Sequence, residues 1–300
     1  MFLSPAAKLF PAALLLFLLA PLVRAQQLRD CGRGVNLRLS APVASQGGLL
    51  QMRVRSDRPL TDLKAQWDGR DLPFWTDPRD PAVERALLGI DLERAPGNYD
   101  LTLSAKNGDE AVTCAAAVSV RLGRFRIERL KVAEKFVDVN PQDEERAAAE
   151  SKRLREIYAT VTPERLWRGS FRLPLDGVRK GANFGTRRIL NGEPRSPHTG
   201  VDFPAPAGTP VHAAQSGRVV LAEPLFFSGN TVLLDHGLGV YTFYGHLETI
   251  DVHVGDLVAP GVLLGKVGAT GRVTGPHLHW GLVVDGARVN ATQIVGLGGD

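Results

Sequence analysis

Two short stretches of this chain carry side chains suited to metal chemistry. S-P-H-T-G-V-D-F, residues 196–203, contributes His198 and Asp202; G-P-H-L-H-W, residues 275–280, contributes His277 and His279. Together they supply imidazoles and one carboxylate, the donor types of a catalytic zinc site. Such a site holds the ion by three side chains and leaves a fourth position to water. H-x-H alone is a common pattern. Two such pieces in one half of the chain, each exposed by flanking Gly and Pro, are a more specific signal.

These residues need rigid elements behind them. The 275–280 piece reads as a strand, in which residues i and i+2 face the same side, so His277 and His279 project together. One could bind the ion while the other reaches the water or substrate bound to it. His198 and Asp202 fall at a Pro/Gly-punctuated loop and the start of a strand. From Phe171 to about Val289 the pattern is β-rich. A hairpin turning at Asp235-His236-Gly237 is followed by short strands broken at Gly255, Gly261, Gly265 and Gly268, which fits an antiparallel β domain with sheets bent at glycines.

Upstream, residues 26–122 alternate apolar and polar residues in short runs. Turn signals separate them at Gln46-Gly47-Gly48, Asp68-Gly69, Pro96-Gly97-Asn98 and Asn107-Gly108-Asp109. Strand count and size suit an immunoglobulin-like β-sandwich. This module has no histidine, hence no catalytic cluster of this type, and Trp67, Phe74 and Trp75 read as core or interdomain packing. Residues 123–170 read as a short helical linker. Glu144 to Tyr158 is rich in Ala, Glu, Arg and Lys, with a start signal at Asn140-Pro141. Its charge run is a solvated face. An alternative role for the linker, with the β module, is to cover the metal cleft until a partner or a cleavage moves it.

Residues 1–25 read as a signal peptide. Lys8 precedes an apolar run from Leu9 to Val23, and Val23-Arg24-Ala25 presents small residues for cleavage after Ala25. The run is short for a membrane span and is interrupted by Pro11 and Pro21, so no stable span is expected after cleavage. Export places the protein in the periplasm or outside the cell, and in that oxidising setting the two cysteines, Cys31 and Cys114, are expected to form a disulfide. The formal charge of +4 includes Lys8 and Arg24, so the processed chain carries +4 − 2 = +2. That is too weak a charge to indicate a nucleic-acid partner.

Six ordered pieces give the region from Phe171 to Asn290 a family resemblance: F-G-T-R-R (184–188), S-P-H-T-G-V-D-F (196–203), G-T-P-V-H-A-A-Q-S-G-R-V (208–219), Y-G-H-L (244–247), V-G-D-L-V-A-P-G (254–261) and T-G-P-H-L-H (274–279). It resembles the lysostaphin/LytM-type zinc metalloendopeptidases, which cut peptide bonds in bacterial peptidoglycan. The resemblance implies one Zn²⁺ per chain held by His198, Asp202 and His279, with His246 and His277 as the two catalytic histidines. It also implies peptidoglycan as substrate; a signal peptide on a Cys-poor chain fits a Gram-negative envelope, for which the cross-link between D-alanine and diaminopimelate is the expected bond. A regulatory envelope protein is a further expected partner.

The predicted fold class is therefore all-β: a C-terminal antiparallel β-sheet metallopeptidase domain (171–300) preceded by the sandwich and the linker. Arg187 and Arg188, just before the first ligands, could each contact a substrate carboxylate bidentately or pair with a surface acid. His212 is expected to be structural, His236 a turn residue and His253 solvent-exposed. Two other readings compete. A non-catalytic module that binds peptidoglycan or activates another hydrolase sits poorly with five intact site residues. A biotinyl- or lipoyl-like carrier would need Lys266 at the tip of a tight hairpin, which the sequence does not offer.

Overall fold

Strict alternation builds the first half of the protein. In strands Gly97–Asn107 and Glu110–Arg121, Leu101, Leu103, Ala105, Val112, Ala116, Val118 and Val120 are buried and the intervening residues mostly face solvent. That is the period-two signature of a half-buried strand. The computed structural model describes residues 27–131, 140–178 and 181–297; the expected signal segment lies outside them.

Two five-stranded sheets pack face to face. The first runs, in spatial order, Gln27–Asp30, Asn36–Leu39, Leu49–Arg55, Asp80–Gly89 and Trp75–Asp77. The second runs Val43–Ser45, Glu110–Arg121, Gly97–Asn107, Leu60–Trp67 and Arg70–Asp71. Leu37, Met52, Val54, Leu88, Leu101 and Val118 fill the space between them, with Trp67 in the same core and Phe74 packed against it. Cys31 and Cys114 are joined, with a Cα–Cα distance of 5.3 Å across a separation of 83 residues. A loop of that length makes the crosslink worth roughly 4–5 kcal/mol in denatured-state entropy.

The second half centres on a nine-stranded antiparallel sheet. Its main order is Gly200–Pro204, His277–Val284, Val240–Ile250, Gly229–Asp235, Gly217–Leu225 and Leu257–Val258, flanked by Pro210–His212, Leu263–Val267 and Ala287–Val289. The hairpin turns between Asp235 and Val240. Val232, Leu234, Leu278, Trp280 and Leu282 form its core.

The stretch between the two halves is more than a linker. Helix Pro141–Tyr158 starts where Asn140 caps it by accepting from the Asp143 amide, with Pro141 in its first turn, acids at Asp143 and Glu144 and a base at Arg155 near its end. Most of its surface is solvated. Leu154, Ile157 and Tyr158, at helical spacing, pack on Leu221, Leu225, Leu233, Tyr241 and Val283. Glu150 accepts from the Phe226 amide and Arg153 pairs with Glu223, fixing the helix against the sheet. Ahead of it, Ile127–Leu130 pairs in parallel with Arg187–Leu190. After it, Trp167 is buried between Trp75, which it meets edge-on, and Phe171, which it meets at a tilt.

Trp75, with Leu49 and Leu87, thus leaves the sandwich to join the core of the second half. Arg288 grips Asp91 through three hydrogen bonds, from its backbone amide to Oδ2 at 2.9 Å, from Nε to Oδ2 at 3.0 Å and from Nη2 to Oδ1 at 2.7 Å. Gly89 makes the contact close: a Cβ there would lie 2.8 Å from the Val284 carbonyl. Among the described residues no helix is long and apolar enough to cross a membrane.

Candidate metal centre and cleft

Strand register assembles the cluster. Asp202 lies directly opposite His279, and Gly245 faces His279 from the other side. His198 is held in the preceding loop: its amide donates to the Thr186 carbonyl, its carbonyl accepts from Gly185, and its Nδ1–H donates to the Asn183 carbonyl at 2.9 Å. Its Nε2 is therefore left for the cluster. His198 Nε2, Asp202 Oδ1 and His279 Nδ1 converge, 3.1 Å and 3.2 Å from the carboxylate and 2.9 Å between the two nitrogens. Gly200 makes room, since a Cβ there would sit 2.4 Å from His279 Nε2.

The donor set fits a divalent metal. Among the described residues this is the one group of three or more His, Cys, Asp or Glu whose ligand atoms all lie within 4.8 Å. Two nitrogens and one oxygen suit a borderline ion. Burial works against the Asp202 charge, but the adjoining His198 and His279 imidazoles outweigh it and hold the carboxyl far below the usual carboxylate range. Burial pushes His279 toward its neutral, ligating form.

Two further imidazoles face the same space. His277 projects beside His279 from strand His277–Val284; its Nδ1–H donates to the Gly275 carbonyl at 2.9 Å, and its Nε2 lies 3.6 Å from Asp202 Oδ1. His246 sits 4.8 Å from the His277 ring and 5.9 Å from the His279 ring, centroid to centroid. Its Nδ1–H donates to the Thr270 carbonyl at 3.0 Å. Burial lowers its pKa to about 4. In both rings a backbone carbonyl fixes the tautomer, leaving Nε2 with its lone pair.

His246 has φ +64°, left-handed for a residue with a side chain. Such a conformation costs on the order of 1–3 kcal/mol and persists where surroundings over-determine it. Here the His246 amide donates to Ser228 O at 2.7 Å and its carbonyl accepts from the Gly268 amide at 3.0 Å. Thr270 is itself pinned, donating to Leu247 O and accepting from the Asn230 amide.

The cluster lies in a cleft of about 1020 Å³. Phe227 and Arg272 line one part, Leu154 and Tyr158 of the helix another, and Glu128, Arg188 and Leu190 a third. The two arginines of F-G-T-R-R therefore part company. Arg188 lines the cleft, its Nε 3.4 Å from Glu128 Oε2, whereas the Arg187 guanidinium lies over the Phe125 ring, 6.0 Å from its centroid.

The remaining histidines stand apart. His253 is exposed, and His212 lies half-buried in a short strand. His236 occupies the predicted turn, yet its ring is completely buried, with Nδ1 2.6 Å from Ser216 O and Nε2 2.7 Å from the Thr242 hydroxyl. Burial lowers its pKa to about 4. It is a core residue because the turn folds back beneath Phe171, whose ring lies 5.0 Å away. Lys266 lies within a strand paired on both sides, not at a hairpin tip.

Sequence reasoning passed over Asn183, Thr270, Phe227 and Arg272. Asn183 orients His198 and places its Nδ2 3.4 Å from Asp202 Oδ2, at φ +70°. An Asn next to Phe184-Gly185 is a signal for that left-handed position. Thr270 acts through its backbone carbonyl, which no residue type announces.

Residues 196–291 match Peptidase family M23. Among curated proteins the chain is 43% identical over 138 residues to "Peptidoglycan DD-endopeptidase ShyA" of Vibrio cholerae serotype O1, covering 45% of this chain and 32% of that one. It is 41% identical over 97 residues to "DD-carboxypeptidase/endopeptidase Mpg" of Neisseria meningitidis serogroup B, covering 32% and 22%. These matches span a third or less of the relatives' own length. A crystal structure from Pseudomonas aeruginosa, described as an M23 peptidase, aligns at a TM-score of 0.62 and 28% identity, covering 84% of this chain and 95% of that one.

Proposed function

We propose that the protein, whose residues 196–291 match Peptidase family M23, is an exported zinc endopeptidase that hydrolyses peptide cross-links of peptidoglycan, the bond between D-alanine and diaminopimelate being its target. The observation that carries this reading is the convergence of three donor atoms within 4.8 Å beneath two cleft-facing imidazoles of fixed tautomer. The relatives' names supply the substrate class. They also support an envelope location, for which residues 1–25 supply the export signal. The chain divides into a sandwich (26–122), a connecting segment (123–170) and a catalytic domain (171–300).

In this reading His198, Asp202 and His279 hold Zn²⁺. A zinc ion so bound supplies Lewis acidity, bringing the pKa of water toward about 7 and polarising a carbonyl. The protein's own groups do the rest. His277, with its Nδ1–H committed to Gly275 O, presents a basic Nε2 that takes the proton of the attacking water and returns it to the leaving amine. His246, neutral at working pH and beside His277, presents an Nε2 lone pair that accepts a hydrogen bond from the attacking water and orients it. Arg188 offers a planar fork to a substrate carboxylate once Glu128 is displaced.

Zinc content and muropeptide release from purified sacculi, measured on one preparation beside His277→Ala, test the assignment. The expected result is one zinc per chain in both proteins, with release falling by roughly 10²–10⁴-fold in the variant. Absence of zinc and of release in the unaltered protein would overturn it and leave a binding module.

A further inference from the structure

On the outer face of the sandwich's first sheet, strand register sets Arg38 directly opposite Arg53, and Arg53 directly opposite Arg85. Alternation explains why they share a face: Leu37, Leu39, Met52, Val54 and Ala86, their neighbours along the strands, all point into the sandwich core. Like charges directly opposite each other on adjacent strands repel. One carboxylate answers this row: Asp77, buried and ion-paired with Arg85. Among the described residues neither Arg38 nor Arg53 has a carboxylate within ion-pair distance. Arg53 feels the excess charge, its pKa being held down by partial burial and by Arg85, Arg38 and Arg79, with Asp77 acting the other way.

Between the two unanswered arginines lies a pocket of about 120 Å³, whose remaining walls are Ser40 and Gln51. Ser40 Oγ already accepts from the Gln51 amide at 3.0 Å, which leaves its hydroxyl proton to donate. Every lining side chain can therefore offer a hydrogen to one point. The pocket shares no residue with the metal cleft.

We infer that this pocket binds a single phosphate group, its oxygens shared between the Arg38 and Arg53 guanidiniums with Ser40 and Gln51 completing the ring of donors. Phosphate suits it better than carboxylate. A carboxylate presents two oxygens and is saturated by one arginine fork; two forks, a hydroxyl and an amide call for an acceptor with more oxygens and more charge. The group is either a free ion or one carried on a lipid headgroup, and both present the same oxygens.

Thermal unfolding of the full chain at constant ionic strength in chloride, acetate or phosphate tests the site. Phosphate at about ten times its dissociation constant raises the midpoint by about 2–3 °C over chloride, and acetate does not. Arg53→Gln melts no lower than the unaltered protein in chloride, because repulsion is relieved, and loses the phosphate shift. Arg155→Gln, the same charge change on the distant helix, keeps it. Flotation with vesicles of phosphatidylglycerol, against phosphatidylcholine alone, separates the sources. Arg53-dependent flotation without a shift in inorganic phosphate assigns a lipid-borne group; the shift without flotation assigns the free ion. An equal shift in acetate, a shift that survives in both Arg53→Gln and Arg38→Gln, or neither shift nor flotation would overturn the inference.

Discussion

His236 and His246 are ten residues apart on one hairpin and experience the same dominant force. Burial lowers the pKa of each to about 4, so each ring is neutral at ordinary pH. Their surroundings differ in one respect. Both ring nitrogens of His236 are occupied, by Ser216 O and the Thr242 hydroxyl. His246 commits Nδ1 to Thr270 O and lies in a cleft beside His277. A perturbed pKa thus marks burial in both places, and only the uncommitted nitrogen marks chemistry.

The largest test of that contrast is paired replacement. His246→Ala is expected to lower sacculus hydrolysis by roughly 10²-fold, the cost of a misplaced attacking water, with bound zinc unchanged. His236→Gln should leave turnover per folded molecule intact. If both substitutions depress turnover alike, the two histidines belong to one functional unit and the contrast fails.

Stability against pH sharpens the other side. Unfolded, His236 titrates near 6.5; folded, near 4. Between these values the unfolded chain binds more protons, so stability is full above about pH 6.5 and falls as pH drops toward 4. The loss from this residue is about 3 kcal/mol. Denaturant titrations between pH 7 and 4 should show that slope in the unaltered protein and a shallower one in His236→Gln.

The smallest effect concerns the adjacent arginines. Arg188→Gln, within the cleft, should raise KM several-fold with kcat little changed, about 1 kcal/mol of uniform binding. Arg187→Gln, which removes a contact with Phe125, should move neither. Steady-state kinetics on a soluble cross-linked muropeptide would show the split, and identical behaviour of the two variants would remove Arg188 from substrate binding.

Features that depend on local periodicity were readable before any coordinates. His277 and His279 share a face because strands repeat every two residues, and the helix begins at Asn140-Pro141 because capping is a local affair. Trp75 could be read as a packing residue, but not its partners, Trp167 and Phe171, which arrive from far along the chain. The parallel pairing of Ile127–Leu130 with Arg187–Leu190 is equally non-local. Leu154, Ile157 and Tyr158 were hidden in a charge-rich run whose average composition resembles a solvated face. The burial of His236 escaped because a turn residue's exposure depends on what the turn folds against.

The donor atoms belong to strands whose pairing, Asp202 opposite His279, closes a loop spanning most of the nine-stranded sheet. Contacts of such sequence separation form late, because chain entropy must be lost before they reward it. An unfolded chain has ligands but no site, and a half-formed sheet has only part of one. If the proposed ligands hold a metal, ion capture dates the completion of the sheet, and metal uptake followed in real time during refolding would serve as a clock for the last strand to dock.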